Sequence, residues 1–318
     1  MTIQQDNKQE QLNIESITWG NLSWINIIKP TNREIAYLAQ NYQFHQMDLD
    51  DCLSKTQRPK VDTYKDYIFW VLHFPIYNKE RRIATHTQVS VFIAEKYLIT
   101  LHEGEVKPLV RLFQECKDQE DRRRENFTNG SAYLLYKILD GAVDAYFPIL
   151  DKILSLLDNT EDRVFDENVE VAQEISTLRR DVITQRRISF PMRSVIAEMD
   201  SKLKRFASID MSIYFDDLLD HANKICETLD ECKEIIEVFK DADYILSTER
   251  LNRIMRTLTI ISTIMLPLIV LSGLWSMNIP LPFGADPGGN HLFFYIMVAI
   301  LLIVVSGMLY LFHRKRWI

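Results

Sequence analysis

Glycine is scarce. There are 9 in 318 residues, and none lies between Gly141 and Gly273. The prolines of that interval are Pro148, Pro191 and Pro267. So few chain breakers exclude a loop-rich second half, and the apolar positions Ile213, Leu218, Ile225, Leu229 and Ile236 recur at three and four spacing, which predicts long helices. Cysteine is rarer still. Cys52, Cys116, Cys226 and Cys232 show no CxxC spacing, which excludes a zinc ribbon and leaves reduced thiols without a crosslinking role. There is no P-loop, no dinucleotide-binding glycine pattern, no zinc-protease helix and no nucleophile elbow, and the histidines are scattered without ligand spacing. The chain is therefore not read as an enzyme. The run DRRRE (121–125) is too short to argue for nucleic acid and reads as a solvated surface turn.

Charge is missing from one place in particular. Residues 258–312 contain no lysine or arginine and a single acid, Asp286, whereas the chain before them is charge-rich. Within this stretch, 258–275 and 292–312 are each long enough, at 1.5 Å per residue, to cross a hydrocarbon core of about 30 Å. Arg250, Arg253 and Arg256 precede the first run, Arg314, Lys315 and Arg316 follow the second, and the loop between them has no basic residue. The positive-inside rule then places both termini in the cytoplasm, in a multi-pass protein of the cell (inner) membrane. No signal-peptide pattern opens the chain, in keeping with a large domain that stays in the cytosol.

The expected architecture is α+β with a membrane part. Residues 1–130 read as a cytoplasmic α/β domain. SWINII (23–28) and DYIFWVLHF (66–74) are strands, the second apolar on both faces, and QVSVFIAEKYLITLHE is two strands turning at Glu95 and Lys96. TNRE (31–34) has capping-box spacing and opens a helix. Residues 131–250 form a cytoplasmic region of long helices. Residues 251–275 continue the stalk into the first span, 276–291 make an external loop, 292–312 the second span and 313–318 a basic tail. If one helix runs from Ile213 to Leu271, it is on the order of 90 Å long.

Two helices cannot enclose a pore, so transport requires several chains around an axis. Asp241 and Asn252 share a face of the predicted stalk, and the same face continues through Met255, Leu258 or Thr259, Ser262, Leu266, Ile269 and Gly273. An acidic cytosolic mouth suits cations, and an apolar throat can gate by dewetting. Periodicity alone equally allows solvated positions below and lipid-facing or helix-facing ones above. Ser276, Met277 and Asn278 end the first run. A ring of Asn oxygens would touch the waters of a hydrated ion, which suits magnesium because it gives up water reluctantly. A turn-forming residue at a helix end is the plainer alternative.

Several segments, in order, carry a resemblance: SWINI (23–27), QRPKV (57–61), DYIFWVL (66–72), QVSVFI (88–93), YLLYKILDGAVDAYF (133–147), YFDDLLDH (214–221), LTIISTIMLPLIVLSGLWSMN (258–278) and the closing RKRWI. Over nearly its whole length the chain resembles the CorA family of divalent-cation channels. The resemblance implies a homopentameric funnel with a pore-lining first span and a second span outside it. The family's filter is Gly-Met-Asn, and here Ser276 stands first. Serine lacks glycine's freedom at positive φ, which bears on where the Asn278 oxygen points.

The resemblance also implies magnesium sensing between subunits by Asp50 and Asp51 of one copy and Asp217 of the next. Taken alone, these acids would be ordinary solvated helix residues. Arg314, Lys315 and Arg316 would form a basic collar, offset by acids of residues 158–170. The implied function is passive Mg2+ uptake, with Co2+ or Ni2+ as surrogates, closed by cytosolic Mg2+. Asn278 selects, Met255 and Leu258 gate, and Asp241 and Asn252 line the inner vestibule. The alternatives are a carrier of Zn2+ or another transition metal, with or without proton coupling, and a non-conducting, membrane-anchored metal sensor or scaffold. The partners expected are further copies of the chain, the lipid bilayer and divalent cations, with no nucleic acid.

Overall fold

The alternating apolar residues of the first hundred positions form six strands: β1 (Ile14–Trp19), β2 (Leu22–Ile28), β3 (Lys60–Thr63), β4 (Ile68–Asn78), β5 (Ile83–Ile93) and β6 (Tyr97–His102). The computed structural model describes residues 12–54, 57–78, 83–166, 171–276 and 292–315. The strand order is β1-β2-β6-β5-β4-β3. β2 and β6 pair in parallel, and every other pair is antiparallel. β4 is apolar on both faces for the expected reason, since Ile68, Phe69, Trp70, Val71 and Leu72 are all buried. The turn at Glu95 and Lys96 is closed by a bond from the Ala94 N–H to the Tyr97 carbonyl, 3.0 Å.

Helices cover both faces of the sheet. α1 (Asn32–Asn41) and α2 (Gln46–Leu53) place Ile35, Leu38 and Leu49 on a cluster with Ile25, Ile27, Phe69, Val71, Phe92 and Ile99. α1 starts where the sequence predicts, with a capping box in which the Thr31 side chain and the Glu34 carboxylate satisfy each other's backbone N–H groups. α3 (Lys107–Asp118) sets Phe113 edge-on against Trp24 of the other face, ring centroids 4.9 Å apart. Each large side chain so enclosed contributes about 2–3 kcal/mol.

One expectation is corrected. Residues 121–125 are not a turn but part of helix α4 (Glu120–Phe127). Glu120 and Asp121 suit the helix's positive end. Arg123 reaches back to donate to the Cys116 and Lys117 carbonyls at 2.8 and 2.7 Å, satisfying the end of α3.

Long helices follow as expected: α5 (Ser131–Asp144), α6 (Phe147–Val164), α7 (Ala172–Ala197), the short α8 (Met199–Leu203), α9 (Ser212–Ser276) and α10 (Leu292–Arg314). α9 is one continuous helix of 65 residues with Pro267 inside it. The chain divides into two compact units. The first runs through residue 164 and resumes up to Lys240; the second holds the remainder of α9, α10 and a short segment after α6.

Candidate metal sites and the long helix

α2 turns Asp48, Leu49 and Cys52 inward, which leaves Asp51 on its flank and Asp50 on its outer side. Asp50 is exposed and accepts a bond from Gln46 Nε2 at 2.9 Å. Asp51 is half-buried, and both of its oxygens are engaged. Oδ1 accepts from Gln57 Nε2 at 2.6 Å, and Oδ2 is 2.6 Å from Lys60 Nζ. Lys60 Nζ is also 2.6 Å from Asp62 Oδ2. Burial works against the Lys60 charge, but Asp51 and Asp62 outweigh it and hold the ammonium well above its ordinary range.

Asp48 is buried beneath, and its carboxylate accepts the hydroxyls of Tyr67 at 2.9 Å and Tyr64 at 3.2 Å. Burial pushes its pKa up despite those bonds. Ligand atoms of Asp48, Asp51 and Asp62 lie within 4.8 Å of one another. The sequence reading missed Asp48, Lys60 and Asp62. The signal was within reach, because Lys60 belongs to QRPKV and is followed by Asp62 on the same side of β3.

Asp217 is exposed near the start of α9. Four residues on is His221, and on α5 Asp140 and Asp144 have the same spacing, so each helix presents its pair on one face. Asp140, Asp144 and His221 bring ligand atoms within 4.8 Å of one another, with His221 Nδ1 at 3.7 Å from Asp144 Oδ1. Asp140 is raised by burial first, then by the charges of Asp144 and Asp217, against the pull of Lys137 and His221. A divalent cation would relieve that repulsion, and a histidine nitrogen among carboxylates adds a donor that suits transition metals. Within one chain, Asp217 thus belongs with Asp140 and His221. Asp51 lies with Asp48 and Asp62, and Asp50 is outside that group.

Upper α9 is covered on one side only. Ile260, Thr263, Ile264, Pro267, Leu268 and Leu271 are partly covered, and this stripe has helical spacing. From Met255 to Gly273 the predicted pore stripe falls on the opposite side at about 100° per residue, although residues 251–259 are exposed on every side. All of its positions are exposed: Asp241, Asn252, Met255 (53%), Leu258 (57%), Thr259, Ser262, Leu266 (65%), Ile269 (66%) and Gly273. The Thr259 hydroxyl donates to the Met255 carbonyl at 2.7 Å, which removes one polar hydrogen from the face. α9 is long and apolar enough to cross a membrane by length and composition, and its apolar window has no buried residue. α10 contains the apolar segment Val298–Arg314.

Ser276 is the last residue of α9, while Met277 and Asn278 lie outside the described residues. Of the residues expected to form a basic collar, Arg314 and Lys315 are exposed and Arg316 lies outside the described residues. Asp158, Glu161 and Asp162 are exposed on α6.

The family whose description matches, over residues 19–315, is the CorA-like Mg2+ transporter protein. The cobalt/magnesium transport protein CorA of Thermotoga maritima is 27% identical over 302 residues, covering 93% of this chain and 83% of that protein. The zinc transport protein ZntB of Pectobacterium carotovorum is 24% identical over 262 residues, covering 82% and 77%. The complete structure of the CorA magnesium transporter from Methanocaldococcus jannaschii matches with a TM-score of 0.78 at 24% identity, over 95% of this chain and 94% of that one, and has the same fold.

Proposed function

The chain belongs to the CorA family of divalent-cation transporters, and from that premise we propose that it is a passive channel for hydrated magnesium, built from five copies around an axis. The observation that carries this reading is the two-sided character of upper α9. Between residues 260 and 271 a partly covered stripe lies opposite an uncovered one that holds Ser262, Leu266 and Ile269, and the uncovered face continues down to Leu258 and Met255, where α9 is exposed all round. Further copies supply what would face that uncovered stripe. Its acidic and amide end, at Asp241 and Asn252, gathers cations from the cytosolic side, and its apolar middle is a throat that closes when water leaves it.

Both termini are cytoplasmic in this reading, α10 is the second span, and Asn278 rings the outer mouth. A neutral oxygen contacts the waters of Mg2+ without stripping them, so the ion is held and released quickly. Asp50 and Asp51 of one copy and Asp217 of the next repel when empty, and a bridging cation removes that penalty and closes the assembly. Asn278→Ala is expected to abolish uptake in cells starved of magnesium. Unaltered uptake would remove Asn278 from its assigned role.

A second reading, transport of zinc, is favoured by His221 beside Asp140 and Asp144, since zinc takes histidine nitrogen together with carboxylate oxygen. Flux into liposomes loaded with magnesium-sensitive or zinc-sensitive dye, with and without a pH gradient, separates the two.

A further inference from the structure

We propose that Lys60 is a built-in competitor for the divalent ion at Asp51, seated where that ion would bind and displaced when it arrives. This rests on the reading of Asp51 as a sensing ligand given above. The two oxygens of Asp51 are both taken, Oδ1 by the Gln57 amide and Oδ2 by the Lys60 ammonium, each at 2.6 Å. An ion approaching Oδ2 meets a fixed positive charge within contact distance, so it has to work against that charge before it gains the carboxylate.

The lysine is built to leave without being lost. Lys60 and Asp62 alternate to the same side of β3, and Asp62 holds the same ammonium at 2.6 Å, which gives Lys60 a second carboxylate to remain on. Its ammonium also lies over the Phe69 ring, 5.7 Å from the centroid, so the stem has a packed resting place. A tethered monovalent cation therefore offsets part of the negative charge of Asp51 and Asp62 when divalent ions are scarce, and leaves the rest of the repulsion for a divalent ion to remove. It sets the concentration at which a divalent ion takes over, and the sensitivity of the site is tuned by Lys60 rather than by the carboxylates alone.

The test titrates Mg2+ against protection of the full-length protein in lipid nanodiscs from a glutamate-specific protease, whose sites none of the variants alters. Lys60→Met keeps the stem over Phe69 and removes the charge, and its protection midpoint is expected at about tenfold lower Mg2+ than wild type. Lys60→Arg keeps the charge and holds the midpoint at or above wild type. Lys65→Met, which removes an exposed lysine that no ion pair joins to Asp51, leaves it unchanged. An unmoved midpoint in Lys60→Met, with the response abolished in Asp51→Asn, overturns the competitor and leaves Asp51 as sensor. A midpoint moved equally by Lys65→Met overturns it as well, because general charge then suffices. Wild-type protein without any Mg2+ response overturns the sensing reading itself. If Lys60→Met does not reach the folded oligomer, Lys60→Gln is read in its place.

Discussion

His102 ends a buried polar chain that begins at Trp24. Trp24 Nε1 donates to Thr100 Oγ1 at 3.0 Å, and Thr100 donates to Asn26 Oδ1 at 2.7 Å. His102 Nε2 lies 2.9 Å from the same Asn26 oxygen, while its Nδ1 accepts the Gly104 N–H at 2.9 Å. Those partners fix a neutral ring protonated on Nε2, and burial lowers its pKa to about 4 from 6.5. Between those values the unfolded chain binds the extra proton. The stability contributed is therefore complete above about pH 6.5 and is lost as pH falls through the window toward 4. Lowering pH from 7 to 5 is expected to cost about 2 kcal/mol through His102, read from urea midpoints by tryptophan fluorescence. His102→Gln keeps a donor for Asn26 and cannot titrate, so it should flatten that slope. His73 is lowered to about 4 in the same way, by burial and then by His86, and supplies the slope that persists in the variant.

At the scale of the element, α9 has two different sides. Polar substitution on the partly covered stripe, as in Ile264→Asn, should lower the yield of assembled protein in detergent extracts. Truncation on the uncovered stripe, as in Met255→Ala or Leu258→Ala, should leave yield alone and raise flux at high internal magnesium several-fold, because a wider throat keeps its water. Equal loss of yield from both stripes would show that the uncovered side is packing rather than passage. The existence of this helix is legible from composition alone, since 131 consecutive residues without glycine leave little else to form. α4 is not legible in that way. Its arginines are read as a turn from local polarity, yet Arg123 finds its purpose only in the carbonyls that α3 presents to it.

For the whole molecule, the consequence of the proposed assembly is a mass and an ion preference. Protein in nanodiscs should weigh five chains by mass photometry, and a monomer would end the channel reading. A liposome flux panel should rank magnesium first, with cobalt and nickel following. Zinc in first place, with a dependence on the pH gradient, would move the assignment to the second reading. A His221→Ala variant sharpens the comparison, since loss of a nitrogen donor should weaken zinc or cobalt binding more than magnesium binding.

Composition and periodicity by themselves determined the long glycine-free helices, the charge-free runs, the capped start of α1 and the doubly apolar β4. Each of these follows from local backbone preference or from the hydrophobic pattern of a single segment. Only the tertiary structure decided which acids share a site. Asp51 meets Lys60 and Asp62 because β3 lies at the sheet edge beside the end of α2, and Asp140 meets His221 because α5 and α9 turn their four-spaced pairs toward one another. Pairs within one element, such as Lys60 and Asp62, follow from spacing, whereas meetings such as Asp51 with Lys60 depend on how separate elements pack.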